Sequence, residues 1–283
     1  MTLQTLDTGF FKLDGGAMFG VVPKPLWNKL NPADEQNRCT WAMRCLLYEA
    51  NDRLLVVDTG IGNKQDAKFF GHYDLHGDAS LLGSIRKAGY SATDVTDVLL
   101  THLHFDHVGG AVAGLPTGQG EGSLTPVFSN ATYWTHPAHW QWAMQPNPRE
   151  KASFLTENIL PLQESGQLKF LTENPFPFAD LSLIYVDGHT EKMALPVFRV
   201  QGRTVAYMAD LIPSSAHVPL PYVMSYDVRP LLTMDEKTHI LQRAANENWI
   251  LVFEHDPIIE AATVEQTEKG VRIREKGKLV EFL

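Results

Sequence analysis

The sequence predicts a layered α/β sandwich. Three observations carry that expectation. Short, wholly apolar runs such as 54–57 and 98–100 read as strands buried on both faces. A helical pattern over 80–88 separates those two runs, giving the strand, helix, strand order of layered α/β folds. Finally, each half of the chain runs from strands through a helix to a strand that ends in metal-ligand residue types.

The elements follow in order. The first forty residues are rich in Gly and Pro (Gly15, Gly16, Gly20, Pro23, Pro25, Pro32), with Phe10, Phe11, Phe19 and Trp27 among them. They predict one short strand and then a long loop over about 1–38 that packs by its aromatics around the core. Two strand runs follow, 39–50 and 53–60, joined by a hairpin turn at Asn51-Asp52. Residues 114–170 read as an irregular, cap-like insertion. It has glycines at 118, 120 and 122, a strand-like stretch at 127–135, a Trp-rich segment at 136–144 and a helix from near Pro148 to Gln167. Three strands come next, the last two turning at Gln201-Gly202, then a helix capped by Asp235 and a buried strand into His255. Small strands in the tail close the sheet. All of this fits one domain over residues 1–283.

Composition narrows the class. Of the 283 residues, 44% are hydrophobic and 20% charged, which suits a globular core with a wet surface and excludes a fibrous or disordered chain. A formal charge of −9 repels polyanions, so no nucleic-acid partner is expected. The mixed stretch from Glu268 to Lys278 reads as solvated surface. If 40–47 is one strand, the two cysteines, Cys39 and Cys45, stand about 20 Å apart at roughly 3.3 Å per residue, too far for a disulfide. They are expected as free thiols in a reducing compartment. The opening residues show no basic segment followed by an apolar one, so no secretory leader is expected. Nor does any apolar run approach the roughly 20 residues that span a bilayer. The expected setting is the cytoplasm, away from membranes.

The chemistry concentrates at residues 101–110. Three imidazoles and a carboxylate (His102, His104, Asp106, His107) fall within six positions directly after the apolar strand. His102 and His104 lie two apart, so at a strand end they project to one side. Asp106 and His107 follow where the chain turns into a helix, and Gly109 and Gly110 let that turn pack close to neighbouring backbone. Imidazole nitrogen with carboxylate oxygen is the ligand set of catalytic zinc sites. Four such residues cannot enclose two ions. Further donors stand at other strand ends: His189 after 181–188, Asp210 at the end of 204–210, and His255 after 250–254, the usual place for ligands in layered α/β folds.

The HxHxDH run, a later Gly-His, a strand-end Asp and a final His together resemble the metallo-β-lactamase-fold hydrolases, in motif order over about 40–260 and including Asp58-Thr59-Gly60. Within them the chain is most similar to the N-acyl homoserine lactonase and methyl parathion hydrolase branch. The resemblance implies a four-layer αββα sandwich and a binuclear centre. One ion would rest on His102, His104 and His189, a second on Asp106, His107 and His255, and Asp210 would bridge them together with a water or hydroxide. Zinc is the first expectation, and manganese, iron and cobalt suit the same ligands. Asp58 would orient a ligand histidine through a hydrogen bond. The chain departs from the branch at Thr190-Glu191-Lys192-Met193, where the lactonases often read Thr-Pro-Gly-His. It departs again at Leu211-Ile212-Pro213, where they place a tyrosine. These departures bear on the substrate rather than on the metal site.

The implied reaction is hydrolysis of a small ester, lactone or phosphotriester. Asp106 would accept or relay a proton, and no Ser or Cys stands in a nucleophile elbow. A di-iron redox protein and a metal-dependent nuclease are the alternatives. The first lacks a visible flavin-binding segment, and the charge argues against the second. Among the remaining residues, His217 is the leading candidate for an added substrate contact, and Tyr222 and Tyr226 are candidates to protonate a leaving group. His136, His139, Trp140 and Trp142 are expected to pack the cap, His72 and His76 to lie on the surface, and His239 to be structural. The aromatic N-terminal loop is a candidate homodimer surface.

Overall fold

A computed structural model describes residues 1–114, 123–172 and 175–283. The glycines at 118, 120 and 122 therefore lie outside the described residues. The contacts divide the chain into two compact units, each built from two stretches of sequence: 1–9 with 43–179, and 10–42 with 180–283.

The first unit holds a six-stranded sheet ordered Thr2–Leu6, Cys45–Ala50, Arg53–Val57, Asp97–Leu99, Thr132–Thr135 and Leu168–Phe170. The first three strands run antiparallel, and from Arg53–Val57 onward the pairing is parallel. Asn51 and Asp52 both adopt positive φ (51° and 58°), the backbone that a two-residue hairpin turn demands. Helix Leu81–Lys87 crosses between the parallel strands and is capped by Ser80, whose hydroxyl accepts from the Gly83 N–H. Ile85 on that helix packs with Val56, Val98 and Tyr133 from the sheet, so the α/β layering comes from burying these side chains. The sheet buries one charge. Asp97 is fully buried, and it accepts from Arg53 Nε (2.9 Å) and Nη2 (2.8 Å) and from Trp134 Nε1 (2.9 Å), the compensation that a buried carboxylate requires.

The second unit repeats the plan, in the order Leu181–Val186, Met193–Val200, Arg203–Tyr207, Ile250–Val252, Ala261–Thr267 and Gly270–Gly277. One pair is parallel, Arg203–Tyr207 with Ile250–Val252, and helix Pro230–Glu247 connects it. In each unit the carboxyl ends of a parallel pair open beside each other: Val57 pairs with Leu99, and Tyr207 pairs with Val252. Asp58 and the 101–107 run leave the first pair, and Asp210 and His255 leave the second. This is how the fold gathers donors that are far apart in sequence.

Several expectations change. The N-terminal segment holds two strands, Thr2–Leu6 and Phe10–Asp14, and two short helices, Gly15–Phe19 and Lys24–Trp27. Phe11, Phe19 and Trp27 are buried, and Gly15 is required because a Cβ there would stand 2.4 Å from the Trp27 ring. The expected strand over 40–47 is two strands, Arg38–Ala42 in a ribbon with Phe10–Asp14, and Cys45–Ala50 in the first sheet. Cys39 and Cys45 form no disulfide with each other, and both are buried. Residues 132–135 and 168–170, expected to interrupt the sandwich, supply two strands of it. The helix expected from Pro148 is Thr156–Glu164, because the 147–153 stretch is held in turns by Asn147 and Glu150. The helix expected to start at Asp235 starts at Pro230, whose fixed φ and missing N–H suit a first turn. Among the described residues, no helix is long and apolar enough to cross a membrane.

Candidate metal centre

In the first unit the strand ending at Leu99 delivers His102 and His104, and the one-turn helix Phe105–Val108 delivers Asp106 and His107. All four side chains are buried. The helix seats against the loop after Val57: Thr59 donates to the His107 carbonyl through its N–H (2.7 Å) and its hydroxyl (2.8 Å). Such a seat needs glycine. A Cβ at Gly110 would stand 2.2 Å from the Thr59 carbonyl oxygen, and one at Gly109 would stand 2.1 Å from that of Ile61. The close backbone approach read from the sequence is realised at both positions.

The hydrogen bonds behind these residues fix which ring nitrogen carries the proton. Asp58 accepts from the Thr101 N–H (2.8 Å) and hydroxyl (2.6 Å), and its Oδ2 lies 3.2 Å from His107 Nδ1. The Thr101 hydroxyl, already donating to Asp58, lies 3.1 Å from His102 Nδ1 and accepts from it. Glu150 Oε1 lies 3.5 Å from His104 Nε2. With their outer nitrogens facing acceptors, His102 and His107 present lone pairs on their inner nitrogens. His102 Nε2 and His104 Nδ1 then face each other at 3.1 Å. The His102 Nε2 lone pair accepts from His104 Nδ1 when that nitrogen carries the proton, and both nitrogens can turn to a cation when it does not.

The second unit shows the same logic. His189 Nδ1 donates to Asp227 Oδ1 (2.9 Å), and His255 Nδ1 donates to the Ala42 carbonyl (2.7 Å). A carbonyl can only accept, so His255 carries its proton on Nδ1 and its Nε2 is a lone pair. The two Nε2 atoms point at the two oxygens of one carboxylate: His189 at Asp210 Oδ2 (3.1 Å) and His255 at Asp210 Oδ1 (3.0 Å). Donors of a tetrahedral ion at about 2.0–2.1 Å stand roughly 3.3 Å apart, close to these separations. Nitrogen and carboxylate donors with each imidazole backed by an acceptor are the makeup of zinc-type sites. The residues present therefore fit divalent-cation binding.

Sequence reasoning placed Asp58 behind a ligand histidine, and the structure puts it behind His107. It missed Asp227, Glu150 and the Ala42 carbonyl. Of these, Asp227 sits in an irregular segment with no motif around it, and Glu150 was assigned to a helix that begins only at Thr156. A positive φ at Asp58 (55°) marks the site as well, a conformation that clusters at functional positions. His139 is buried, and its Nε2 accepts from the Leu103 N–H (2.9 Å), so it supports the loop between His102 and His104. His136 caps the helix Pro137–Met144, and Trp142 donates to Glu150, which makes the Trp-rich segment packing as expected.

His217 does not make the substrate contact expected of it. It is fully buried, its Nδ1 lies 2.7 Å from the Ser214 hydroxyl, and its Nε2 donates to the Met18 carbonyl (2.9 Å). Its ring stacks on Phe19 at 4.6 Å, and burial pushes its pKa down to about 3. Both ring nitrogens serve packing. Tyr222 meets the edge of Phe19 at 6.2 Å, and Tyr226 is exposed.

Comparisons with known proteins bear on the fold and the family. A sequence comparison with curated proteins returned no match. Among solved structures, one described as a probable metal-dependent hydrolase from Staphylococcus aureus is 27% identical, with a TM-score of 0.86 over 98% of this chain and 96% of that one. AidC, a dizinc quorum-quenching lactonase, is 21% identical at a TM-score of 0.77, over 96% of this chain and 92% of its own. An N-acyl homoserine lactone hydrolase is 17% identical at 0.67, over 90% of this chain and 93% of its own. The expected α/β class is thus borne out, and the fold is the one the sequence motifs resemble. The family model of the metallo-β-lactamase superfamily matches residues 44–255, a span that contains every donor described above, and the chain belongs to that superfamily.

Proposed function

We propose that the protein is a binuclear metal-dependent hydrolase, with zinc as its ion, acting on a small ester, lactone or phosphotriester. The observation that carries this reading is Asp210. Its two oxygens face two separate imidazoles, and each of those has its other nitrogen committed to an acceptor. A carboxylate so placed serves two ions better than one. Superfamily membership and the dizinc lactonase among the structural neighbours support the same reading.

His102, His104 and His189 would hold one ion and Asp106, His107 and His255 the other, with Asp210 shared between them. Divalent ions held there would generate a hydroxide nucleophile from water near neutral pH and polarise the carbonyl or phosphoryl oxygen under attack. The chain's own residues supply orientation and proton handling. Asp58, Asp227 and the Ala42 carbonyl hold three imidazoles with their lone pairs inward, and Asp106, whose Oδ2 lies 3.8 Å from His107 Nε2, would accept or relay a proton from the attacking water.

Metal analysis of the purified protein, paired with a panel of lactones, carboxylic esters and aryl phosphotriesters, tests the reading. Two equivalents of metal and turnover that disappears on chelation and returns with zinc are expected. Undiminished turnover in metal-free protein would refute it.

A further inference from the structure

Asp227 aims His189, and neither residue is held by its own segment alone. Both rest on one turn of the helix Pro230–Glu247. Glu236 on that helix accepts the N–H of Asp187 through Oε1 (2.7 Å) and the N–H of Gly188 through Oε2 (3.0 Å), so one carboxylate binds the two peptide groups leading into His189. Gly188 lies directly on the helix backbone, where a Cβ would come within 2.5 Å of the Thr233 nitrogen. The next residue, Lys237, is fully buried. Its ammonium donates to the carbonyls of His217 (2.7 Å), Tyr222 (2.8 Å), Pro219 (3.2 Å) and Leu220 (3.3 Å).

Those carbonyls belong to the turns that lead into Asp227. On the far side of Asp227 the backbone is tied again: Val228 donates to the His189 carbonyl (3.2 Å) and Arg229 to that of Gly188 (2.9 Å). Two adjacent helix residues therefore hold both segments of the imidazole–carboxylate pair, one as an acceptor of N–H groups and the other as a donor to C=O groups. Burying an ammonium without a carboxylate partner is costly, and burial pushes Lys237 down to about 7. A chain that merely needed to pack this position would do better with an apolar side chain.

We propose that Glu236 and Lys237 are positioning residues that fix the His189–Asp227 pair, and so set the direction in which His189 Nε2 meets Asp210. The inference rests on the binuclear reading above and names which half of that centre these residues govern: the ion that takes His189.

Glu236→Gln is the direct test, because it keeps volume while its amide NH2 opposes one of the two backbone N–H groups. Zinc uptake by the full chain, measured by chelator competition, should show one ion weakened 10- to 100-fold and the other unchanged. In metal-free protein, the downfield imidazole N–H resonance of His189 bonded to Asp227 should weaken or disappear. Lys237→Met should give the same selective loss if it folds. Should it fail to fold, Glu236→Gln decides alone. Two ions bound at wild-type affinity in Glu236→Gln, with the His189 resonance intact, would overturn the proposal even if thermal stability fell. Wild-type protein that takes up no zinc would sink the binuclear reading and this inference together.

Discussion

Asp58 Oδ2 stands 3.2 Å from His107 Nδ1, and both side chains are fully buried. This carboxylate serves three donors at once, the Thr101 N–H, the Thr101 hydroxyl and His107. Asp58→Asn separates its two roles. Its carbonyl oxygen still accepts from the Thr101 backbone, so the fold persists. Its NH2 faces His107 Nδ1 and forces the proton to Nε2, the nitrogen that the proposed metal would take. Metal affinity should fall about 10- to 100-fold with a small change in thermal midpoint. Wild-type affinity in this variant would show that Asp58 does not set the tautomer.

His139 supports the ligand loop through the Leu103 N–H, in a buried setting. His139→Phe keeps an aromatic ring beside Phe154 but leaves that N–H without its acceptor. The expected cost is about 1–3 kcal/mol in denaturant unfolding, the penalty of a buried unsatisfied donor. Turnover should fall as well, because Leu103 lies between His102 and His104, two of the proposed metal ligands. A stability change near zero would mean that the loop relaxes to another partner.

His217 makes stability depend on pH with a definite sign. Burial holds its pKa at about 3 in the folded chain, against an ordinary value of 6.5. Below 6.5 the unfolded chain takes up a proton that the folded chain refuses, so stability falls as pH drops from 6.5 toward 3. One such group contributes a slope of up to about 1.4 kcal/mol per pH unit. His217→Phe keeps the stack on Phe19 and removes the titration. Unfolding free energies measured between pH 6.5 and 5 should therefore fall less steeply in the variant, and equal slopes would refute the assignment.

Much of the site was legible because metal chemistry writes itself in residue types. The 102–107 cluster is dense in metal-ligand residue types, the strand ends at 210 and 255 are where the parallel pair opens, and His189 follows an antiparallel edge strand. Asp58 was readable for the same reason, as a polar group leaving a wholly apolar strand. The supporting partners were not. Asp227 acts from a segment without periodicity, and Ala42 contributes only a carbonyl, which any residue carries. His217 misled because a histidine in a Pro-rich loop near a metal ligand looks functional, whereas its ring is absorbed by Phe19, Ser214 and Met18. In the fold, apolar runs located the strands, but the break at 43–44 was hidden. Residues on either side are equally buried, and only the pairing partner changes.

Two glycines in the first unit give opposite forecasts for the same substitution. At Gly71, inside the helix Ala67–Tyr73, an added Cβ meets nothing within 4 Å. Gly71→Ala should stabilise the protein by about 0.4–1 kcal/mol, through the loss of freedom in the unfolded chain. At Gly110 the Cβ would lie 2.2 Å from the Thr59 carbonyl oxygen, a backbone atom with no rotamer to change. Thr59 in turn holds the His107 carbonyl. Gly110→Ala must therefore push apart the loop after Asp58 and the helix that carries Asp106 and His107. A loss on the order of 3 kcal/mol is expected, together with weaker metal uptake at any temperature where the variant stays folded. If thermal melts of the two variants agreed, the tight seat between these segments would not be what holds the ligand helix in place.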